Sequence, residues 1–165
     1  MEIAAIGNKE KAAFYAALHD SLQALISSEP DWLANLANAA ALLYDSLEDV
    51  NWAGFYLLKG GELVLGPFQG KPACVRIQVG KGVCGTAVQQ RRTIVVPDVH
   101  QFSGHIVCDA LSRSEIVVPL FYEEQTTGVL DIDSPCLNRF DADDAVGLAL
   151  FAALCAKPAF IGSAK

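Results

Sequence analysis

The run from Ser114 to Ser134 constrains this chain most. Two apolar segments, Glu115–Tyr122 and Thr127–Asp133, are joined by a short turn at Glu123–Thr126 and read as paired strands. Three carboxylates are set into them. Glu115 heads the first, and Asp131 and Asp133 lie two apart in the second. Side chains alternate along a strand, so Asp131 and Asp133 share one face while Leu130 and Ile132 take the other. Taken alone, that pair reads as a strand end with solvated or turn-capping acids. Glu115 on the neighbouring strand changes the balance, because burying unpaired carboxylates is costly unless something compensates. Three acids on one face repel, raise at least one pKa and form a negative pocket suited to an ammonium group. A raised carboxyl can also donate a proton.

The rest of the chain supplies the frame. Residues 9–28 place Phe14, Ala17, Leu18, Leu22, Leu25 and Ile26 on one helical face, interrupted at Ser28-Glu29-Pro30. Asp31 is suited to cap a second helix, where Trp32, Leu33, Leu36, Ala40, Leu43, Tyr44 and Leu47 continue the period. That helix is rich in Ala and Asn, which calls for a close neighbour. After Val50 the period shortens. Residues 51–58 read as a strand that turns at Lys59-Gly60-Gly61 into Glu62–Leu65, before breaks at Gly66-Pro67 and Gly70-Lys71-Pro72. Ala73–Val79 alternates as a half-exposed strand carrying Cys74. A short helix at residues 83–90 and a strand at Thr93–Val96 follow, then a polar loop, His100–Arg113, carrying Cys108. Asn138–Asp144 reads as a helix start, and the last helix carries Val146, Leu148, Leu150, Phe151 and Leu154 until Lys157-Pro158 stops it. The expected fold is α+β: a single domain over residues 1–165, with a central, mostly antiparallel sheet of about six strands flanked by N- and C-terminal helices.

Totals narrow the function. A net charge of −7 without a basic stripe argues against nucleic acid. No run reaches the ~18 apolar residues of a membrane span, and the N-terminus lacks the pattern of a secretory signal, so a cytoplasmic protein is expected. Five cysteines form no disulfide framework, and any disulfide should be transient. Cys84 follows Gly80-Lys81-Gly82 at a helix start, which favours its thiolate. Cys108 has Asp109 beside it and would need activation by tertiary neighbours. A small buried hydrophobe is the reading that fits Cys155 best and stays open for Cys74. His100, His105 and Cys108 form no pair with zinc-finger spacing, and no metal is expected. Trp52 and Tyr56 share a strand face opposite Phe55, placed either in a core or as a pocket wall.

Several motifs, in one order, carry a resemblance: Asn51-Trp-Ala-Gly-Phe-Tyr56, Leu65-Gly-Pro-Phe-Gln-Gly70, Ala73-Cys-Val-Arg-Ile77, Gly82-Val-Cys-Gly-Thr-Ala87, Asp98-Val-His100, His105-Ile-Val-Cys-Asp109, Ser114-Glu-Ile-Val117 and Gly128-Val-Leu-Asp-Ile-Asp-Ser134. Together they closely resemble the free methionine-(R)-sulfoxide reductases, enzymes of the GAF-domain class, over residues 14–155. The resemblance implies reduction of free methionine (R)-sulfoxide, with thioredoxin as reductant and no other cofactor. It implies Cys108 as the catalytic thiol, and Cys74 and Cys84 as the two available to resolve it. It also implies Glu115, Asp131 and Asp133 as substrate-binding acids, beside Trp52 and Tyr56. The helix-start reading favours Cys84 as the reactive thiol and the resemblance favours Cys108; Cys108 is taken here. Cys136 and Cys155 receive no role. A homodimer through terminal helices is compatible with the pattern. The alternative is a non-catalytic GAF sensor of a small molecule or redox state, which would be expected to carry an output domain.

Overall fold

A computed structural model describes residues 2–156. Its elements, in order, are α1 (Glu2–Ile26), α2 (Trp32–Ser46), β1 (Trp52–Lys59), β2 (Glu62–Gly70), β3 (Arg76–Gln78), α3 (Gly82–Gln90), β4 (Ile94–Val96), a 3-10 turn (Val99–Gln101), β5 (Ser114–Tyr122), β6 (Gln125–Ser134) and α4 (Ala142–Cys155). The strands form one sheet in the order β3-β2-β1-β6-β5-β4, and every pair in it is antiparallel. Hairpins β1–β2 and β5–β6 follow from the short turns between them. The pairing of β6 with β1 brings the acids beside Trp52.

α1, α2 and α4 cover one face of this sheet. Leu18 and Leu22 of α1, Leu36 and Leu43 of α2, and Leu148 and Phe151 of α4 pack on Phe55, Ile116, Leu130 and Ile132. Local signals place these helices. Asp31 accepts from Ala34 N at 2.9 Å at the start of α2, and Asp141 with Asp144 forms a capping box on α4. The buried stripes run differently from the expected ones. Tyr15 is buried while Phe14 and Leu25 of α1 are exposed, as are Leu33 and Tyr44 of α2 and Val146 and Leu150 of α4. Each of these elements has more apolar positions than one face can bury, and tertiary contact selects among them. The expected stop at Lys157-Pro158 lies outside the described residues; α4 ends at Cys155, with Ala156 as its C-cap.

Two breaks in the expected strand pattern are corrected. β2 does not end at Leu65 but runs through Gly66-Pro67 to Gly70. The register with β1 shifts between Gly54 and Tyr56, and such a bulge accommodates Pro67, which has no N–H to give a ladder. Cys74 is not in a strand. β3 is only three residues long, and Cys74 lies in the irregular segment before it.

Candidate active site

The second face of the sheet, toward α3, carries the candidate site. Asp133 pairs with Trp52 on one side and Glu115 on the other, while Asp131 pairs with Gly54 and Val117. Alternation therefore gathers Trp52, Tyr56, Glu115, Asp131 and Asp133 on one face of three adjacent strands, as expected from the sequence. A Cβ on Gly54 would sit 2.3 Å from Cβ of Phe68. Its absence lets Phe68 stack on the indole of Trp52 at 5.2 Å between ring centroids. Tyr56 stacks on the same indole at 5.9 Å. The aromatic wall is thus stacked without a ligand.

The acids are pushed toward their neutral form. Burial pushes Glu115, Asp131 and Asp133 well above the usual carboxylate range, and each is pushed further by a neighbouring acid. Glu115 and Asp131 are hydrogen-bonded to each other, which requires a proton between them. Asp131 also receives the Cys84 thiol, yet its Oδ1 is buried without a partner. These are groups poised to give up a proton or accept a cation.

Cys84 corrects the helix-start expectation. It does lie in the first turn of α3, and Gly85 lets that turn approach β3 closely, since a Cβ there would meet the Gln78 carbonyl at 2.3 Å. Its thiol, however, is buried against Asp131, Glu115 and Asp133, and burial first, then these acids, drive its pKa well up. Negative neighbours and loss of water outweigh a helix dipole worth at most about 2 kcal/mol. Cys84 is therefore a protonated thiol on the pocket floor.

Cys108 is exposed, in the loop between the 3-10 turn and β5. Its sulfur is hydrogen-bonded to the thiol of Cys74 and receives a bond from the Cys74 backbone. Burial of the sulfur and the Cys74 thiol push its pKa up to about 12, against the lowering effect of that backbone bond. Two side chains of the wall hold the Cys74 segment in place. Tyr56 Oη donates to the Cys74 carbonyl at 2.9 Å, and Trp52 Nε1 donates to the Lys71 carbonyl at 3.1 Å. On the other side, Asn51 Nδ2 donates to Asp109 Oδ2 and Ser112 Oγ, both at 3.2 Å, anchoring the Cys108 loop to the start of β1. Asp109 also lies 3.8 Å from Lys71 Nζ.

Seven of the eight expected site residues, Trp52, Tyr56, Cys84, Cys108, Glu115, Asp131 and Asp133, line one cavity; Cys74 does not line it, and its thiol meets the site through Cys108. The enclosed space is about 40 Å³, room for roughly three waters. Sequence reasoning missed His105, whose Nε2 stands 3.5 Å from Glu115 Oε2, and whose pKa burial lowers. Its place three residues before Cys108 was the available signal. It missed Lys71 as well, the single Lys or Arg of the lining, because an isolated surface lysine carries no pattern.

Comparison with known proteins agrees with this geometry. Residues 21–157 match the GAF domain. The chain is 58% identical to the free methionine-R-sulfoxide reductase of Escherichia coli over 138 residues, 84% of each chain. It superposes on the free methionine-R-sulfoxide reductase of Neisseria meningitidis in complex with its substrate with a TM-score of 0.85 and 48% identity, covering 88% of this chain and 87% of that one. The reduced enzyme of Staphylococcus aureus gives 0.83 and 55%, covering 86% and 92%. With its three thiols, three raised acids and aromatic wall set on this sheet, the chain belongs to the free methionine-R-sulfoxide reductases, oxidoreductases built on the GAF domain.

Proposed function

We propose that this chain reduces the R sulfoxide of free methionine, with Cys108 as attacker and Cys74 as resolving thiol. One observation carries the reading: the Cys108 and Cys74 thiols are hydrogen-bonded to each other at a cavity whose floor is three protonatable acids. The Cys108 sulfur attacks the sulfoxide sulfur, and a carboxyl among Glu115, Asp131 and Asp133 delivers a proton to the oxygen. Methionine leaves and Cys108 carries the oxygen as a sulfenic acid. Cys74 then condenses with it, releasing water and leaving a disulfide. Thioredoxin returns both thiols by exchange. Acids that give no proton hold the substrate ammonium, and Trp52 meets the methyl end. Lys71 takes the carboxylate, being the cationic side chain at the rim.

This division favours a free amino acid, since a peptide-linked residue offers amides in place of both charged ends. Pairing of two copies across the exposed Val146 and Leu150 of α4 belongs to the same proposal, as does action in the cytoplasm; none of the described helices is long and apolar enough to cross a membrane.

The test follows NADPH oxidation with thioredoxin and thioredoxin reductase, supplying the R and S isomers of free methionine sulfoxide separately. Turnover is expected with R, and its absence rejects the reading. In a single turnover without reductant, Cys108→Ser should release no methionine, and Cys74→Ser should release one equivalent. Failure of Cys84→Ser, rather than Cys108→Ser, to release methionine would reverse the assignment.

A further inference from the structure

The proposed reaction leaves Cys84 without a task, although its surroundings are unusual for an inert thiol. Cys84, Glu115 and Asp131 each present a ligand atom, and these atoms lie within 4.8 Å of one another, all in buried residues. They come from three different elements, α3, β5 and β6. His105 adds an imidazole nitrogen 3.5 Å from the same Glu115. Sulfur, nitrogen and two oxygens is a donor set matched to a tetrahedral, borderline-soft cation. With metal–sulfur and metal–oxygen bonds of about 2.3 and 2.1 Å, such ligands sit roughly 3.6 Å apart. A contraction of about an ångström closes Cys84, Glu115 and Asp131 around an ion; His105 stands outside that group, beside Glu115, and completes the set by turning toward it.

An independent observation points the same way. Asp131 Oδ1 is buried and unpartnered, and a buried carboxylate oxygen without a donor is a standing cost that a cation removes. The ligands also line a cavity, so an ion has a way in.

We propose that the pocket floor is a Zn²⁺-class site, with Cys84, Glu115, Asp131 and His105 as ligands, whose occupation excludes the substrate. The exclusion rests on the proposed function, because the carboxyls that would hold the metal are those assigned to the substrate ammonium. Zinc bound here reversibly silences the pocket while its thiols are reduced. Oxygen-seeking cations such as Mg²⁺ gain nothing from the thiol and are not held.

The sequence expectation was that no metal binds, argued from the spacing of His100, His105 and Cys108, and this proposal departs from it. The set found here turns His105 to Glu115 and leaves Cys108 with Cys74.

The test measures Zn²⁺ affinity of the reduced, full-length protein by competition with a chromophoric chelator, without added thiol. A Cys108→Ser background prevents turnover. One equivalent of Zn²⁺ should bind and Mg²⁺ should not compete. Cys84→Ser should weaken Zn²⁺ by more than the roughly 100-fold that marks loss of an outer-shell partner. Should that variant not fold, Asp131→Asn carries the same expectation. Added methionine sulfoxide should weaken Zn²⁺ in proportion to its concentration. Wild-type affinity in Cys84→Ser or in Asp131→Asn overturns the site, and so does zinc that binds with Cys108 present but is lost in the Cys108→Ser background, which would give the metal to the Cys74–Cys108 pair. Zinc binding indifferent to methionine sulfoxide overturns the exclusion. Turnover of the R isomer in metal-free buffer tests the proposed function separately.

Discussion

Leu130 and Asp131 are neighbours in β6, and both are buried, yet they face different chemistry. Leu130 joins Phe55, Ile116 and Ile132 beneath three helices, a packing of apolar side chains alone. Asp131 points the other way, toward Glu115, Cys84 and a cavity. The same backbone ladder serves both. The helical face stabilises the sheet, and the α3 face draws on that stability to keep carboxyls where water would otherwise be. A buried acid cluster persists because the layer behind it over-determines the strand positions.

If the faces divide labour in this way, substitutions on each should separate stability from binding. The largest stability effect is expected for Leu130→Ala, about 2–5 kcal/mol, read from denaturant unfolding, with KM for the R sulfoxide staying within a few-fold. A comparable rise in KM would show that the helical layer also shapes the pocket. Asp133→Asn is the counterpart. It should raise KM by about 10- to 100-fold, the worth of a hydrogen bond to a charged group, while unfolding stability holds or rises. An unchanged KM would reduce these acids to strand-end solvation.

The smallest effect is a slope. Glu115, Asp131 and Asp133 have folded pKa values raised above their unfolded ones, so the folded state binds more protons and stability falls as pH rises above about 4. The unfolding midpoint of substrate-free protein should therefore decline between pH 5 and 8, and Asp131→Asn should flatten the decline. On the helical side Asp141 behaves oppositely: although slight burial raises its pKa, bonds from Lys11 and the α4 backbone lower it further. Its contribution is lost only as pH falls through the folded value, below about 4. A midpoint that rises from pH 5 to 8 would mean that the pocket acids are ionised and paired.

Much of this division was legible in the sequence. Alternation placed Asp131 and Asp133 opposite Leu130 and Ile132, and Trp52 and Tyr56 opposite Phe55, because a strand has only two faces. The cap at Asp31 and the helix entry over Asn138–Asp144 were readable, since such signals act within a single turn. What escaped was set by distant neighbours. The helix start at Cys84 suggested an acidic thiol, and only the sheet reveals the carboxyls across from it. Gly66-Pro67 reads as a break until β1 supplies a bulge. Phe14 and Val146 fit a helical stripe as well as the side chains that were buried. His105 and Lys71 became part of the site through loop placement alone.

The two hydrogen bonds from the aromatic wall have a practical consequence for engineering. Trp52 and Tyr56 face the cavity and also suspend the segment from Lys71 to Cys74. Recasting the wall to admit a bulkier sulfoxide would therefore also free this segment: Tyr56→Phe keeps the ring yet releases the carbonyl of Cys74, and Trp52→Phe drops the tether at Lys71. With Cys74 resolving as proposed, substrate scope and turnover number are geared together, and a designer who wants one without the other must first give Cys74 a different hinge.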